Sequence, residues 1–169
     1  MTIAPRGRIL AQAAAALMVP LLLLGLLSLT PAHATTTTTT AATMSAAQTA
    51  TYEREVQYFV NQVRAQHGLR KLRVASCTDR VAERWNRHLA TSGSFYHQSM
   101  QTVLKRCNAR YAGETLGRGG MAPRELIQLW MDSPPHRAVL LSGKSRRIGV
   151  GAEYDAAGRW VVTANFMRF

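Results

Sequence analysis

The chain has 169 residues, which is enough for one domain and too few for two domains of ordinary size. It carries 21 lysines and arginines against 9 aspartates and glutamates, a formal net charge of +12. Such a surface attracts anionic partners such as nucleic acid, acidic lipid or phosphate-bearing wall polymers. Charge alone does not separate a dedicated binding site from a generally basic, solvated surface.

The N-terminus has the three parts of a secretory signal peptide. Arg6 and Arg8 form a positive region, Leu17 to Leu29 is an almost unbroken apolar run, and Ala32-His33-Ala34 supplies a small-x-small cleavage pattern. We predict that residues 1–34 are a cleaved signal peptide and that the protein is secreted and extracellular. Cleavage removes two arginines and no acidic residue, which leaves a net charge of +10.

The alternative is an uncleaved N-terminal membrane anchor. Residues 9–29 are mostly apolar and number roughly the ~20 needed to cross a bilayer. Gln12, Pro20 and the Ala-His-Ala pattern favour cleavage, after which we expect no stable membrane span.

Residues 35–50 are rich in threonine and alanine, with six consecutive threonines. A segment of this composition buries too little apolar surface to offset the entropy lost on ordering, so we predict a flexible linker. The folded domain is then predicted to cover residues 51–169.

The two cysteines, Cys77 and Cys107, both lie in the exported part. An even pair without metal-ligand spacing in an oxidising compartment indicates a structural disulfide, and a reactive thiol is the weaker alternative. The bond would close a loop of about 31 residues and add roughly 3 to 4 kcal/mol of stability.

Apolar periodicity predicts helices first. Residues 52–67 have apolar side chains at helical spacing before Gly68, and a second helix is predicted from Thr78 to Thr91 with Ser92-Gly93 as its stop. Residues 109–116 are ambiguous, and Gly117, Gly119 and Gly120 indicate a loop.

The second half of the chain changes from helices to strands. Pro123 opens a predicted third helix that buries Leu126, Leu129 and Trp130, and Ser133-Pro134-Pro135 starts a short fourth helix. Residues 148–154 and 159–166 are β-rich runs around a turn and predict a hairpin. Helices followed by strands favour an α+β layer fold.

Standard catalytic motifs are absent from the sequence. It contains no Gly-x-Ser-x-Gly, no phosphate-binding P-loop, no His-Glu-x-x-His and no paired Cys-x-x-Cys. Three ionisable residues lie in distinctive sequence contexts: His97 after Phe95-Tyr96, Glu114 in a Gly-Glu-Thr-Leu run, and His136 in Ser-Pro-Pro-His-Arg.

With these residues the sequence resembles the CAP superfamily, named for cysteine-rich secretory proteins, antigen 5 and plant pathogenesis-related proteins, in its bacterial secreted form. The resemblance runs from about Tyr52 to Phe166. Six blocks occur in the family's order: Asn61-x-x-Arg64 with Gly68-Leu69, Trp85 with Leu89-Ala90, His97, Gly113-Glu114-Thr115-Leu116, Trp130-Met131-x-Ser133-Pro134-x-His136-Arg137, and Ile148-Gly149-Val150-Gly151 with Asn165-Phe166.

The resemblance implies a three-layer α/β/α sandwich with a C-terminal antiparallel hairpin. It also implies a cleft lined by His97, Glu114 and His136. Many animal and plant members have a second glutamate after the tryptophan of the third helix, where this chain has Asp132 and Ser133.

Three roles remain open for the cleft residues. They are suitable donors for a zinc ion with one open position, although no cofactor is required by the sequence. Without metal, a histidine beside a carboxylate can act as an acid–base pair. Otherwise the three side chains bond one another and tie the sheet to the helices. Ser133 is interpreted as a helix cap, and His67 and His88 as solvent-facing or helix-end residues. The residues expected to border the cleft entrance are Arg137, Arg146 and Arg147.

Three functions compete on this basis. The first is a secreted, monomeric, non-enzymatic binding module for a lipid or an anionic envelope polymer, with binding that survives loss of His97 or Glu114. The second is a metal-assisted or His/Glu-based hydrolase acting on peptide or envelope material. The third is non-specific electrostatic binding, or a cationic antimicrobial role, carried by the overall charge without specific nucleic-acid recognition.

Overall fold

The computed structural model describes residues 45–169; the predicted signal peptide and residues 35–44 of the predicted linker lie outside this range. The elements in chain order are α1 (Ala46–Gln66), β1 (Arg73–Val74), α2 (Ser76–Ser92), α3 (Met100–Cys107), β2 (Tyr111–Gly119), α4 (Pro123–Asp132), α5 (Pro134–Leu140), β3 (Arg147–Tyr154) and β4 (Trp160–Arg168).

Helix α1 begins at Ala46, so the last five residues of the predicted linker, 46–50, are helical and the predicted helix start at residue 51 is too late. Ser45 accepts a hydrogen bond from the backbone N–H of Gln48, and the Gln48 side chain accepts one from the Ser45 N–H. This capping box satisfies two N–H groups that a helix start would otherwise leave unpaired. The alanines that follow are good helix formers, so the helix extends back to Ala46.

The four strands form one mixed sheet in the order β1-β3-β4-β2. β3 and β4 are antiparallel and form the C-terminal hairpin, β2 is antiparallel to β4, and the short β1 is parallel to β3. The predicted hairpin is confirmed. β2 is an outer strand, and Glu114 lies opposite Asn165 in its register with β4.

Alternate residues of β3 face two different helical layers, as the two-residue period of a strand requires. Ile148 and Val150 belong to the core cluster that contains the buried side chains of α1 and α4. On the opposite face Gly149 and Gly151 lie against α2; a Cβ on Gly151 would stand 2.6 Å from the Cα of Glu83. The three-layer α/β/α sandwich is confirmed, with α1 and α4 on one face and α2 on the other.

Two residues of the family-like first block hold α1 to the rest of the core. The Asn61 side chain donates to the Leu72 carbonyl and accepts from the Leu72 N–H. Arg64 is fully buried and donates to the carbonyls of Leu140 and Ser142. Its Nε also donates to the Arg70 carbonyl, whereas Nη2 has no hydrogen-bond partner within residues 45–169. Three carbonyls thus hold the buried guanidinium between α1 and the segment after α5.

The predicted disulfide is present and joins Cys77 to Cys107. It links the first turn of α2 to the last residue of α3. Helix α3 was not predicted from the sequence. It has eight residues and only one of them, Val103, is buried, so its apolar pattern is too short to recognise.

Two further expectations are wrong. Gly117 and Gly119 belong to β2 rather than to a loop, because this stretch pairs with β4 from Tyr111 to Gly119. Leu129 is 51% exposed, because α4 turns Leu126, Ile127 and Trp130 toward the core instead.

Candidate functional site

Glu114 is the buried carboxylate of the candidate site. It lies on β2 and its side chain is 2% exposed. One carboxylate oxygen accepts hydrogen bonds from His97 Nδ1 at 2.7 Å and from the Gln98 backbone N–H at 3.2 Å. The other accepts from the Gln98 side-chain amide. Both oxygens therefore have donors, as a carboxylate removed from water requires.

The segment that carries His97 is fixed in place by its neighbours. Helix α2 ends at Gly93, which has the left-handed conformation (φ 71°) common at helix ends. The Arg118 guanidinium then donates to the carbonyls of Gly93 and Ser94. Trp85 Nε1 donates to the Tyr96 carbonyl, one residue before His97. These contacts hold the His97 ring at the Glu114 carboxylate, although the ring itself is 58% exposed.

Burial and hydrogen bonding act in opposite directions on Glu114. Burial raises the pKa of its carboxyl above the usual range, and the hydrogen bonds from Gln98 and His97 offset part of that rise. The Glu114 carboxyl group is therefore buried and hydrogen-bonded to an exposed imidazole and a half-buried amide. This arrangement can orient His97, fix its tautomer and exchange a proton with it.

His136 lies on α5. It is near His97, but its ring hydrogen-bonds a different residue. Its Nδ1 is 2.8 Å from Ser133 Oγ. Burial lowers the pKa of His136 and the charge of His97 lowers it further, so the His136 imidazole is neutral at neutral pH. Ser133 does occupy the N-cap position of α5, but its hydroxyl bonds the His136 ring and makes no side-chain cap bond. Ser133 is therefore at the predicted cap position of α5, without a cap hydrogen bond from its side chain.

As arranged, the Glu114 carboxylate is engaged in hydrogen bonds, which leaves the two imidazoles as the free zinc donors among the three predicted residues. Both Glu114 oxygens already accept N–H donors, which makes Glu114 a partner that orients His97 rather than a free ligand. The Nε2 atoms of His97 and His136 are the remaining donors, and structural or catalytic zinc takes three or four protein ligands. In the described part of the chain, no group of three or more His, Cys, Asp or Glu side chains is placed to hold a metal ion.

Sequence reasoning missed two polar residues of the site. Gln98 donates to both Glu114 and, at 3.2 Å, to Asn165 Oδ1. Asn165 is fully buried, and its Nδ2 has no hydrogen-bond partner within residues 45–169. A detectable signal was the alternation of polar Thr163 and Asn165 within the otherwise apolar strand β4, since polar residues at buried strand positions need specific partners.

The remaining predicted neighbours lie in different places. Asp132, considered as a replacement for a second glutamate, accepts a hydrogen bond from Gln128 on its own helix. Arg137 donates to the Met131 carbonyl. Arg146 donates to the Gly143 and Ser145 carbonyls at the start of β3.

The other two histidines are exposed, as predicted. His67 is the C-cap residue of α1. His88 also has a partner, because its Nε2 lies 2.8 Å from the Tyr96 hydroxyl.

A second feature is an open groove of about 350 Å³ between α1 and α4. This volume lies within the range of small-molecule sites, about 300–1,000 Å³. The groove lies on the sheet face opposite α2. It is lined by Tyr58, Phe59, Gln62, Val63, Gln66, Arg124, Ile127 and Gln128.

Helices on both faces of a four-stranded sheet, with a His–Glu pair at its outer strand, define an α/β/α sandwich of the CAP type. The CAP family, described as the cysteine-rich secretory protein family, matches residues 57–166. The chain belongs to this family, which confirms the resemblance found in the sequence.

A curated relative is the protein YkwD of Bacillus subtilis, 30% identical over 127 residues. The match covers 71% of this chain and 49% of the relative, so the chain spans about half the length of that protein.

Solved structures with the same fold include two bacterial proteins. An outer surface protein of Borrelia burgdorferi has a TM-score of 0.65 at 16% identity, covering 75% of this chain and 97% of that one. An extracellular SCP-domain protein of Bacillus anthracis has a TM-score of 0.62 at 22% identity, covering 76% and 45%. No helix formed within residues 45–169 has the length and apolarity to cross a bilayer.

Proposed function

We propose that this protein is an exported binding module whose ligand is an amphipathic lipid held in the α1–α4 groove. The observation that carries the proposal is the lining of that groove. The lining is amphipathic: the half-buried Phe59 and Val63 and the exposed Tyr58 supply its apolar part. Three glutamines supply its polar part, and Arg124 supplies a cation. In the described part of the chain, the Arg124 guanidinium makes no ion pair or hydrogen bond, so it is free to meet an anionic head group.

Export rests on the N-terminal pattern and agrees with the relatives. The Borrelia protein is an outer surface protein and the Bacillus anthracis protein is extracellular. An oxidised Cys77–Cys107 pair also suits an oxidising compartment. Cleavage after Ala34 and the monomeric state stay predictions, which mass spectrometry of the exported chain and light scattering would test.

The groove proposal is tested by titrating the exported chain with a fluorescent fatty acid. Gln62→Phe places a ring in the groove, and we expect at least a tenfold loss of affinity. The matched control is Gln57→Phe, since Gln57 is a half-buried α1 residue that does not line the groove. Equal affinity of wild type and Gln62→Phe, with both folded, would remove the groove as the binding site.

Arg124 has a separate test. Arg124→Gln should weaken a fatty acid several-fold and leave the matching fatty alcohol unchanged, because only the acid carries a charge at neutral pH. Equal effects on both ligands would show that Arg124 does not bind the head group.

Metal-free acid–base hydrolysis is the second candidate, favoured by the short His97–Glu114 contact. It requires that His97→Ala abolish turnover of a peptide or envelope substrate while the protein stays folded. Zinc binding through His97, Glu114 and His136 also stays a prediction. A calorimetric zinc titration beside a His97→Ala, His136→Ala variant tests it, and micromolar binding lost in that variant would support it.

A further inference from the structure

One end of the sheet gathers positively charged side chains that form no ion pair within residues 45–169. Three β-strands place an arginine there: Arg73 on β1 pairs with Arg147 on β3, and Arg168 ends β4. Arg110 joins them because its N–H donates to the Arg168 carbonyl at 2.7 Å. We call this surface the basic end; its exposed cations are Arg70, Lys71, Arg73, Lys105, Arg106, Arg110, Lys144 and Arg168.

Neighbouring segments complete the basic end. The Cys77–Cys107 disulfide joins the start of α2 to the end of α3, which carries Lys105 and Arg106. Lys144 lies over the ring of Tyr111, the first residue of β2, at 5.9 Å. The half-buried Arg146 donates its N–H to the Met167 carbonyl. Segments that are distant in sequence therefore bring their cations to one surface.

No aspartate or glutamate forms an ion pair with these side chains in the described part of the chain. Residues 56–78, 84–113, 133–152 and 156–169 contain no aspartate or glutamate. The ion pairs formed within residues 45–169 involve Arg87, His97, Arg118 and Arg159, none of which belongs to the basic end. Eight exposed like charges on one surface repel one another, which disfavours the compact state unless an anion binds there.

The shape and the residue types indicate the class of anion. The outer strands of the sheet stand about 14 Å apart, since three interstrand spacings separate them, so the cations form a strip rather than a pocket. Five of the eight are arginines, whose planar guanidinium groups bind phosphate through two parallel hydrogen bonds. A strip of this kind matches the repeated phosphates of a flexible chain better than one small anion.

We propose that the basic end binds a flexible phosphodiester polymer, such as a polyol phosphate of a bacterial wall. This surface contains none of the residues that line the α1–α4 groove, so its ligand is separate from the lipid proposed above. Binding should be electrostatic and should weaken steeply with salt, because each neutralised phosphate releases counterions.

The test uses the full chain, expressed in an exporting bacterial host and purified in its oxidised form, with a poly(glycerol phosphate) oligomer as the probe. Arg73, Arg110 and Arg168 are changed together to Gln. We expect at least a tenfold loss of affinity at low salt. The steepness of log K against log salt should fall by about 2. Each phosphate contact on a single-stranded polymer contributes roughly 0.7 to this slope, and the variant removes three.

The matched control changes three exposed arginines outside the basic end, Arg54, Arg84 and Arg137, to Gln. It removes the same charge and should lose less than threefold. A second variant, with Lys71, Lys105 and Lys144 changed to Gln, tests the same surface through other side chains and should lose affinity as the arginine variant does. Circular dichroism of each variant verifies that it is folded.

Three results would overturn the proposal. The first is an equal loss in the control, which would assign binding to net charge alone. The second is binding of phosphatidylglycerol vesicles through the same arginines without binding of the polymer, which would make the surface a lipid contact. The third is binding of a thymidine oligomer of equal charge more than tenfold tighter than the polyol phosphate, which would make the partner a nucleic acid.

Discussion

Glu53 gives the sharpest prediction because its carboxylate accepts a backbone N–H at the edge of the sheet. β1 pairs with only the first two residues of β3, which leaves later N–H groups of β3 without a strand partner. The Glu53 carboxylate accepts the Ala152 N–H at 2.9 Å, and Asp79 accepts the Val150 N–H at 3.2 Å. Burial raises the pKa of Glu53 to about 7, and the charges of Glu83, Asp79 and Glu153 contribute to the rise.

The sign of the effect on stability follows from the two protonation states. The unfolded chain loses this proton near pH 4.5 and the folded chain near pH 7, so the free energy of unfolding falls as pH rises through this interval. At 1.36 kcal/mol per pKa unit the penalty above pH 7 has an upper bound of about 3.4 kcal/mol. Glu53 is only partly buried, so solvent screening reduces the expected penalty to about 1–2 kcal/mol.

Glu53→Gln removes the charge and keeps an oxygen that can accept the Ala152 N–H. We expect this variant to exceed wild type by about 1–2 kcal/mol at pH 8 and to equal it at pH 4, in urea unfolding followed by tryptophan fluorescence. Glu55→Gln is the matched control, since Glu55 is exposed on the same helix and should change stability by less than about 0.5 kcal/mol. A Glu53→Gln protein that is less stable than wild type at pH 8 would refute the reasoning.

Three further predictions concern stability. Replacing both Cys77 and Cys107 by Ala should lower the free energy of unfolding by about 3–4 kcal/mol in denaturant titrations, and an unchanged midpoint would show that the loop is restrained by other contacts. Gly149→Ala should cost at least about 2–3 kcal/mol or prevent folding, because a Cβ there overlaps the α2 backbone; Gly143→Ala, with open space around it, is the control and should be nearly neutral. Glu114→Gln turns one acceptor into a donor facing Gln98 and should cost about 1–3 kcal/mol in thermal unfolding; a neutral result would mean that the amide network rearranges freely.

The sequence predicted the elements that bury one face. Val56 and Val60 on α1 and Leu126 and Trp130 on α4 recur at helical spacing because the core accepts only one side of each helix. Gly93 was recognisable as the end of α2 because few other residues adopt its left-handed backbone conformation at low cost.

Features that depend on distant partners were not predictable in this way. The polar run around Arg64 gives no sign that its guanidinium is buried, because the carbonyls that satisfy it lie 76 and 78 residues later. β2 was not predicted because its glycines indicate a loop. They adopt a strand conformation because the segment pairs with β4. The contact between Gln98 and Glu114 likewise exists only after the sheet has formed, so the site was predicted as three ionisable residues without the amide that joins them.

The central claim is that ligand binding belongs to the α1–α4 groove and is separate from the His–Glu pair. The most direct test compares fluorescent fatty-acid affinity in wild type, in Gln62→Phe and in the double variant His97→Ala, Glu114→Ala, all verified as folded. The proposal predicts that Gln62→Phe loses at least tenfold while the double variant stays within about threefold of wild type. Loss of binding in the double variant, with Gln62→Phe unaffected, would contradict it and move the ligand to the His–Glu site.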